Sequence, residues 1–140
     1  MRKYLYLLIF MIACGGAKES VPATLTETKW KLTELDGQKI KQATDEKLIH
    51  IVFYTEDSRL SGFGGCNNLI GNYILTEPDQ LFMIVASTRM FCEGEMETES
   101  KLLELLTEVE YFEINKQTLS LKNSKTVVAK FEATELAEAN

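Results

Sequence analysis

The chain has 140 residues, of which 15 are Lys or Arg and 21 are Asp or Glu, so its formal net charge is −6. This length and a hydrophobic content of 45% fit one domain with its own core and leave no room for a second. The scattered acidic residues argue against nucleic acid as a partner, which requires clustered Lys and Arg, and against electrostatic attachment to anionic lipid.

The N-terminus resembles a bacterial lipoprotein signal. Arg2 and Lys3 precede an apolar stretch of about nine residues, 4–12, which is too short to span a hydrocarbon core that needs about 20. The stretch Met11-Ile12-Ala13-Cys14 resembles the lipobox, in which Leu usually occupies the position of Met11. An ordinary secretory signal, with an incidental cysteine, is the alternative interpretation.

The resemblance to a lipobox implies that residues 1–13 are a cleaved signal peptide and that Cys14 carries lipid. Loss of the leader would take the formal charge from −6 to −8. The protein would then be a lipid-anchored lipoprotein of the cell envelope. By analogy with well-studied bacterial lipoproteins, Gly15 in place of Asp after the lipidated cysteine favours sorting to the outer membrane.

The segment after Cys14 divides into a tether, a domain and a short tail. Residues 14–24 are small and polar with one proline, which is typical of a flexible tether. Regular apolar spacing predicts one folded domain over residues 25–135, followed by a tail of residues 136–140.

Short strands dominate the predicted domain. Alternating or β-branched runs are separated by turn signals such as Asp36-Gly37, which favours an antiparallel sandwich or barrel over a parallel sheet. The predicted strands are 26–35, 48–54, 59–63, 71–75, 81–86, 111–114, 118–121 and 126–131.

One helix is predicted over residues 96–109, where apolar residues recur with a period near 3.6. Its acidic residues, Glu99 among them, are assigned to the opposite, polar face, and those of the first turn suit the helix dipole. We expect the apolar stripe to close one side or end of a β-barrel.

The sequence also resembles the META domain, or HslJ-like, family. The resemblance is carried by Ser61-Gly62-Phe63-Gly64-Gly65-Cys66-Asn67-Asn68, then Gly71-Asn72-Tyr73, then Thr88 to Cys92, and finally Glu99 ahead of a Leu-rich helix. It spans residues 26 to about 132. It implies a mainly β (α+β) fold, a small antiparallel β-barrel with one helix before the closing strands, often carried by a bacterial envelope lipoprotein. It implies no known reaction.

We interpret the motif residues as structural. They are Gly62, Gly65, Cys66, Asn67, Gly71, Tyr73, Thr88 and Cys92. The glycines predict a tightly wound corner of the barrel, and Asn67 is expected to bond nearby backbone. A phosphate-binding loop is the competing interpretation, but no GxxxxGK[ST] is present and a strand, not a helix, follows.

Cys66 and Cys92 remain after lipidation of Cys14. In an oxidising compartment they are expected to form a disulfide, and two buried thiols or a catalytic thiol are the alternatives. Catalysis would need a base, for which His50, the single histidine, is the candidate; its alternation with Ile49 and Ile51 predicts that it faces solvent. A structural zinc site would need more donors, so no metal or cofactor is expected.

Two further side-chain arrangements are predicted. Trp30 alternates in phase with Leu32 and is assigned to the core, and a ligand cavity lined by Trp30, Phe53, Tyr73 and Phe82 is an alternative. Arg89 is expected to pair with an acid of the helix such as Glu99.

The sequence therefore predicts a membrane-anchored, non-catalytic binding or assembly module, with a role in envelope stress or secretion implied by the family resemblance. Its partners would be the membrane, through the lipid, and another envelope protein or a small apolar ligand. The alternative is a small envelope hydrolase or thiol-dependent enzyme that uses Cys66 or Cys92.

Overall fold

The computed structural model describes residues 23–42, 44 and 47–134. Cys14, the predicted leader, most of the tether and the tail lie outside these residues. The described strands are β1 (Lys29–Leu35), β2 (Gln38–Lys39), β3 (His50–Phe53), β4 (Arg59–Phe63), β5 (Asn68–Leu75), β6 (Leu81–Ser87), β7 (Tyr111–Asn115), β8 (Thr118–Asn123) and β9 (Thr126–Thr134); helix α1 (Met96–Thr107) lies between β6 and β7.

All nine described strands form one curled antiparallel sheet with the order β6-β5-β4-β3-β1-β9-β8-β7, and β2 pairs with β1 outside this path. The first residues of the two outermost strands meet. The amide of Leu81 donates to Glu110 O at 3.0 Å, and that of Phe112 donates to Asp79 O at 2.9 Å. Helix α1 packs on β6. The protein is thus a mainly β, barrel-like fold with one helix, as predicted.

The strand boundaries follow the sequence closely, with physical reasons for the differences. β1 begins at Lys29 rather than at residue 26, because Glu27 adopts a positive φ of 58° that interrupts extended backbone. The turn at Asp36 and Gly37 returns the chain into β2, a two-residue strand that is not among the predicted strands. Within residues 23–42, 44 and 47–134, no helix has the length and apolar character needed to cross a bilayer.

The interior of the curled sheet holds the core. Trp30 is fully buried, as predicted, and its indole Nε1 donates to Leu25 O at 2.9 Å. The alternative of a cavity lined by Trp30, Phe53, Tyr73 and Phe82 is not formed, because Phe53 and Tyr73 are packed edge to face inside the core, whereas Phe82 points outward and is 44% exposed. The alternation of β6 explains this, since its neighbours Leu81 and Met83 occupy the interior.

Gly71 is required by close strand packing. A Cβ added there would lie 2.1 Å from the carbonyl oxygen of Ile84 on β6. We expect Gly71→Ala to lower the free energy of unfolding by about 2 kcal/mol, because the backbones of β5 and β6 must separate. Ile70→Thr is the matched control, since Ile70 is 59% exposed on the same strand. Equal urea midpoints for the two variants would contradict this packing argument.

Candidate functional site

The motif residues converge where β4 passes into β5. The connection Gly64–Asn67 meets the segment after β6 and the first turn of α1. We call the resulting cluster the clasp; it consists of Cys66, Asn67, Thr88, Met90, Cys92 and Glu99. It ties the 64–67 connection to residues 88–99, which follow more than 20 residues later in the sequence.

Asn67 is the centre of the clasp and is only 1% exposed. Its Oδ1 accepts hydrogen bonds from the Met90 amide at 2.7 Å and from Thr88 Oγ1 at 3.0 Å. Its Nδ2 donates to Glu99 Oε1 at 2.6 Å and to Met90 O at 3.2 Å. Both donors and both acceptor sites of the side chain are therefore used inside the protein.

Glu99 is the second buried polar residue of the clasp, with 3% exposure. Besides Asn67 Nδ2, it accepts the backbone amides of Cys66 and Asn67 on Oε2, at 3.1 and 2.6 Å. A buried carboxyl group is costly unless it is hydrogen-bonded, and these three donors offset that cost. The carboxyl group therefore fixes the 64–67 connection onto the start of α1.

Gly64 makes room for this carboxyl group, and Gly65 allows the backbone to turn beside it. A Cβ on Gly64 would lie 2.6 Å from Glu99 Cγ and 2.7 Å from Oε2. Gly65 has a φ of +114°, a conformation that L side chains rarely adopt. The two glycines thus allow the backbone of the 64–67 connection to pass close to Glu99.

Cys66 and Cys92 form a disulfide whose Cα atoms are 5.7 Å apart. The bridge spans a sequence separation of 26 residues and joins the 64–67 connection to the segment before α1. It therefore reinforces covalently the same two segments that Asn67 joins by hydrogen bonds. In this state neither cysteine carries a thiol.

The other motif residues lie in the sheet. A Cβ on Gly62 would lie 2.2 Å from His50 O, so this glycine permits close pairing of β3 and β4. Tyr73 donates from its hydroxyl to Tyr54 O at 3.0 Å, and desolvation by burial, with a contribution from Glu27, raises the pKa of Tyr73. These residues support the barrel and do not join the clasp.

His50 is not combined with the cysteines. It is half-buried on β3 rather than solvent-facing, and its Nδ1 lies 2.7 Å from Leu48 O. Burial lowers the pKa of His50, against an opposing contribution from the Leu48 carbonyl, and so favours the neutral ring. No hydrogen bond between described residues links His50 to Cys66. The thiol and the base that the catalytic alternative requires are therefore not brought together.

Glu99 was assigned to the wrong face, and its predicted pairing with Arg89 is also wrong. The carboxyl group points inward and bonds to Cys66 and Asn67 instead. The helical spacing did contain a signal, because Glu99 stands three residues from both Met96 and Leu102 and so shares their stripe. An acid on an apolar stripe indicates a buried polar partner, here Asn67.

The polar groups of this region are occupied by one another. Every buried side-chain nitrogen and oxygen of the described residues has a hydrogen-bond partner. Within the same part of the chain, no group of three His, Cys, Asp or Glu side chains is arranged to hold a metal ion. The clasp can therefore position backbone and helix, but it presents no free nucleophile or base.

An open groove of about 600 Å³ lies elsewhere, along β7 and β8. It is lined by Asp79, Glu110, Tyr111, Phe112, Glu113, Lys122, Ser124 and Lys125. Apolar ring surface from the two aromatic residues lies beside charges of both signs. This groove does not touch the clasp.

Comparisons with known proteins give a family and a fold. A family model described as the META domain matches residues 23–135. An NMR structure of a protein from Burkholderia xenovorans is similar at a TM-score of 0.63 with 23% identity, covering 79% of this chain and 83% of that one. A second NMR structure is similar at 0.60 with 22% identity, covering 79% and 94%. No curated protein matches the sequence.

Proposed function

The chain belongs to the META domain family, and from that premise we propose that it is a lipid-anchored, non-catalytic module of the bacterial cell envelope that binds or assembles with another envelope component. Its role in the envelope, including envelope stress or secretion, would then be exercised by the surface of the domain rather than by a reaction centre.

The proposal rests on one observation: the polar side chains of the clasp use their hydrogen-bonding groups on one another and on nearby backbone. Asn67 uses all its side-chain hydrogen-bonding capacity on Glu99, Thr88 and Met90. Cys66 is bonded to Cys92. A catalytic site requires groups free to meet a substrate, and these are committed to holding the fold.

The lipobox-like sequence at Cys14 supports the anchored part of the proposal. Residue 23, where the described domain begins, follows Cys14 by nine residues, which reach at most about 30 Å when extended. A compact domain of this size has a radius of gyration of about 13 Å. Such an anchor would keep every face of the domain within reach of the bilayer.

Cys14→Ser tests the anchor. We expect this variant to lose acyl labelling and to leave the membrane fraction, because the thiol that carries the diacylglycerol is gone. Intact-mass spectrometry of the membrane-extracted wild-type chain should give residues 14–140 plus acyl groups. Ser20→Ala is the matched control, since it changes the tether and leaves the lipobox intact. Acyl labelling retained by Cys14→Ser would refute the anchor.

A further inference from the structure

The outer surface of the β5–β6 hairpin is apolar. Ile70 and Ile74 are each 59% exposed, Phe82 is 44% exposed and Ile84 is 78% exposed. We call this surface the outer β5–β6 face; it consists of Ile70, Asn72, Ile74, Phe82, Ile84 and Ala86. Strand register makes direct neighbours of Ile74 and Phe82, of Asn72 and Ile84, and of Ile70 and Ala86. None of the six side chains is charged.

The exposed large hydrophobic residues of the described chain are confined to this region. They are Ile70, Ile74, Leu75, Phe82, Ile84, Met90 and Phe91. All seven lie on β5, on β6 or in the segment that follows β6. Scattered exposed hydrophobic residues are ordinary, but a contiguous group marks an interaction surface.

The chemistry of the face favours hydrocarbon over a polar partner. β5 is paired with β4 on one side and with β6 on the other, so its backbone groups are used inside the sheet. Asn72, the single residue with a polar side chain, directs its Nδ2 toward Asp57 O and Ser58 O. The face therefore offers an occupant apolar contact with almost no hydrogen-bonding groups.

The proposed anchor at Cys14 points to the membrane as the source of that hydrocarbon; this step rests on the proposed function. Glu27, four residues after the described domain begins, accepts a hydrogen bond from the Thr55 amide through Oε1 at 2.8 Å. The turn at Glu56–Ser58 then contacts Asn72 in the middle of the face. Contacts thus run from Glu27 to the apolar surface, while Ala23, at the start of the described domain, donates its amide to Lys116 O in the β7–β8 turn at 3.0 Å. A nine-residue tether has a root-mean-square span of about 15–18 Å, so the face lies within reach of the anchor.

We propose that the outer β5–β6 face lies against the lipid bilayer to which the chain is anchored. The anchor gives the face a high local concentration of lipid, so even weak apolar contact suffices. An uncharged face also brings no carboxylate of its own into contact with anionic headgroups. A second copy of this chain is the competing occupant, but each copy would carry a formal charge of −8.

The test supplies the anchor chemically. When Cys66 and Cys92 are bridged, residues 14–140 have one free thiol, at Cys14, which can be coupled to a maleimide phospholipid in phosphatidylcholine vesicles. Phe82→Trp places a fluorescent probe on the face, and Glu132→Trp places a matched probe on the exposed surface of β9. Trp30 is buried and common to both variants.

Brominated phosphatidylcholine should quench Phe82→Trp at least about threefold more than Glu132→Trp, because an interfacial apolar surface enters the boundary of the acyl chains. Adding Ile84→Ser should reduce the quenching. Equal quenching at the two positions overturns the proposal. A second result would also overturn the proposal: the uncoupled chain sediments as a dimer, Ile84→Ser dissociates that dimer, and quenching is not selective. The face would then be assigned to a second copy of the chain.

Failure of this inference is distinguishable from failure of the proposed function. The acyl mass of the membrane-extracted chain decides whether bacteria anchor the protein through Cys14. The quenching ratio decides which surface meets the bilayer when an anchor is supplied. Either measurement can fail while the other succeeds.

Discussion

Glu99→Gln is expected to lower the free energy of unfolding by about 3 kcal/mol, which corresponds to a fall of about 12 °C in Tm for a domain of this size. The substitution keeps the shape of the side chain but replaces one acceptor oxygen by an NH₂ group. Glu99 accepts the Cys66 and Asn67 amides on one oxygen and Asn67 Nδ2 on the other. The glutamine must therefore turn a donor toward a donor inside a buried cluster.

Glu97→Gln is the control for this prediction. Glu97 lies in the same first turn of α1 and is exposed, so its neutralisation should change the unfolding free energy by less than about 0.5 kcal/mol. The comparison separates the loss of the clasp from the loss of an acidic residue near the helix N-terminus. If the two variants unfold at the same urea concentration, Glu99 does not hold the 64–67 connection.

Cys66→Ala and Cys92→Ala are each expected to lower the free energy of unfolding by about 3.5 kcal/mol, or about 15 °C in Tm. Either change opens the same bridge, whose 26-residue separation sets the entropy returned to the unfolded chain. The double variant should be no less stable than either single variant, because one shared interaction is lost.

Reductant provides the internal control for the disulfide. It should lower the Tm of the wild-type protein toward that of the single variants and leave the double variant unchanged. Thiol titration of residues 14–140 should find one reactive thiol without reductant and three with it. Additive losses in the double variant, together with insensitivity of the wild type to reductant, would instead indicate two separate buried thiols.

The strands were predictable because their signals are local. Alternation and turn residues located β4 at Arg59–Phe63 without error, and the other predicted strands within a few residues. β2 was missed because two residues carry no periodicity. These are properties of short segments, and no tertiary contact is needed to read them.

The clasp was less predictable, because its polar partners lie far apart in sequence. Asn67 was expected to bond nearby backbone, yet its side chain joins Met90 and Glu99, 23 and 32 residues away. Residue spacing shows that Glu99 shares a stripe with apolar residues, but it does not show which donors bond to its carboxyl group. The META domain resemblance located the segment and gave no reason for its residues.

The assignment of Phe82 failed for a different reason. Both faces of the β5–β6 hairpin are apolar, with Leu69 and Tyr73 inside and Ile70 and Ile74 outside. Alternation along a strand shows which residues share a face. It cannot show which face is inside when both faces are hydrophobic. The apolar residues on the outer face thus explain both why the orientation of Phe82 was ambiguous in the sequence and why this surface can meet the membrane.

The placement of β9 has a consequence for the order in which the molecule is assembled. β9 lies inside the sheet, between β1 and β8, and Lys29 pairs with Thr134. While a ribosome or translocation channel still holds residues 126–134, β1 and β8 lack their common partner, and only the contacts between the ends of β6 and β7 can join the two halves of the sheet. Stable folding must wait until the whole chain has emerged, and the late, long-range pairing predicts slow folding for a chain of this size.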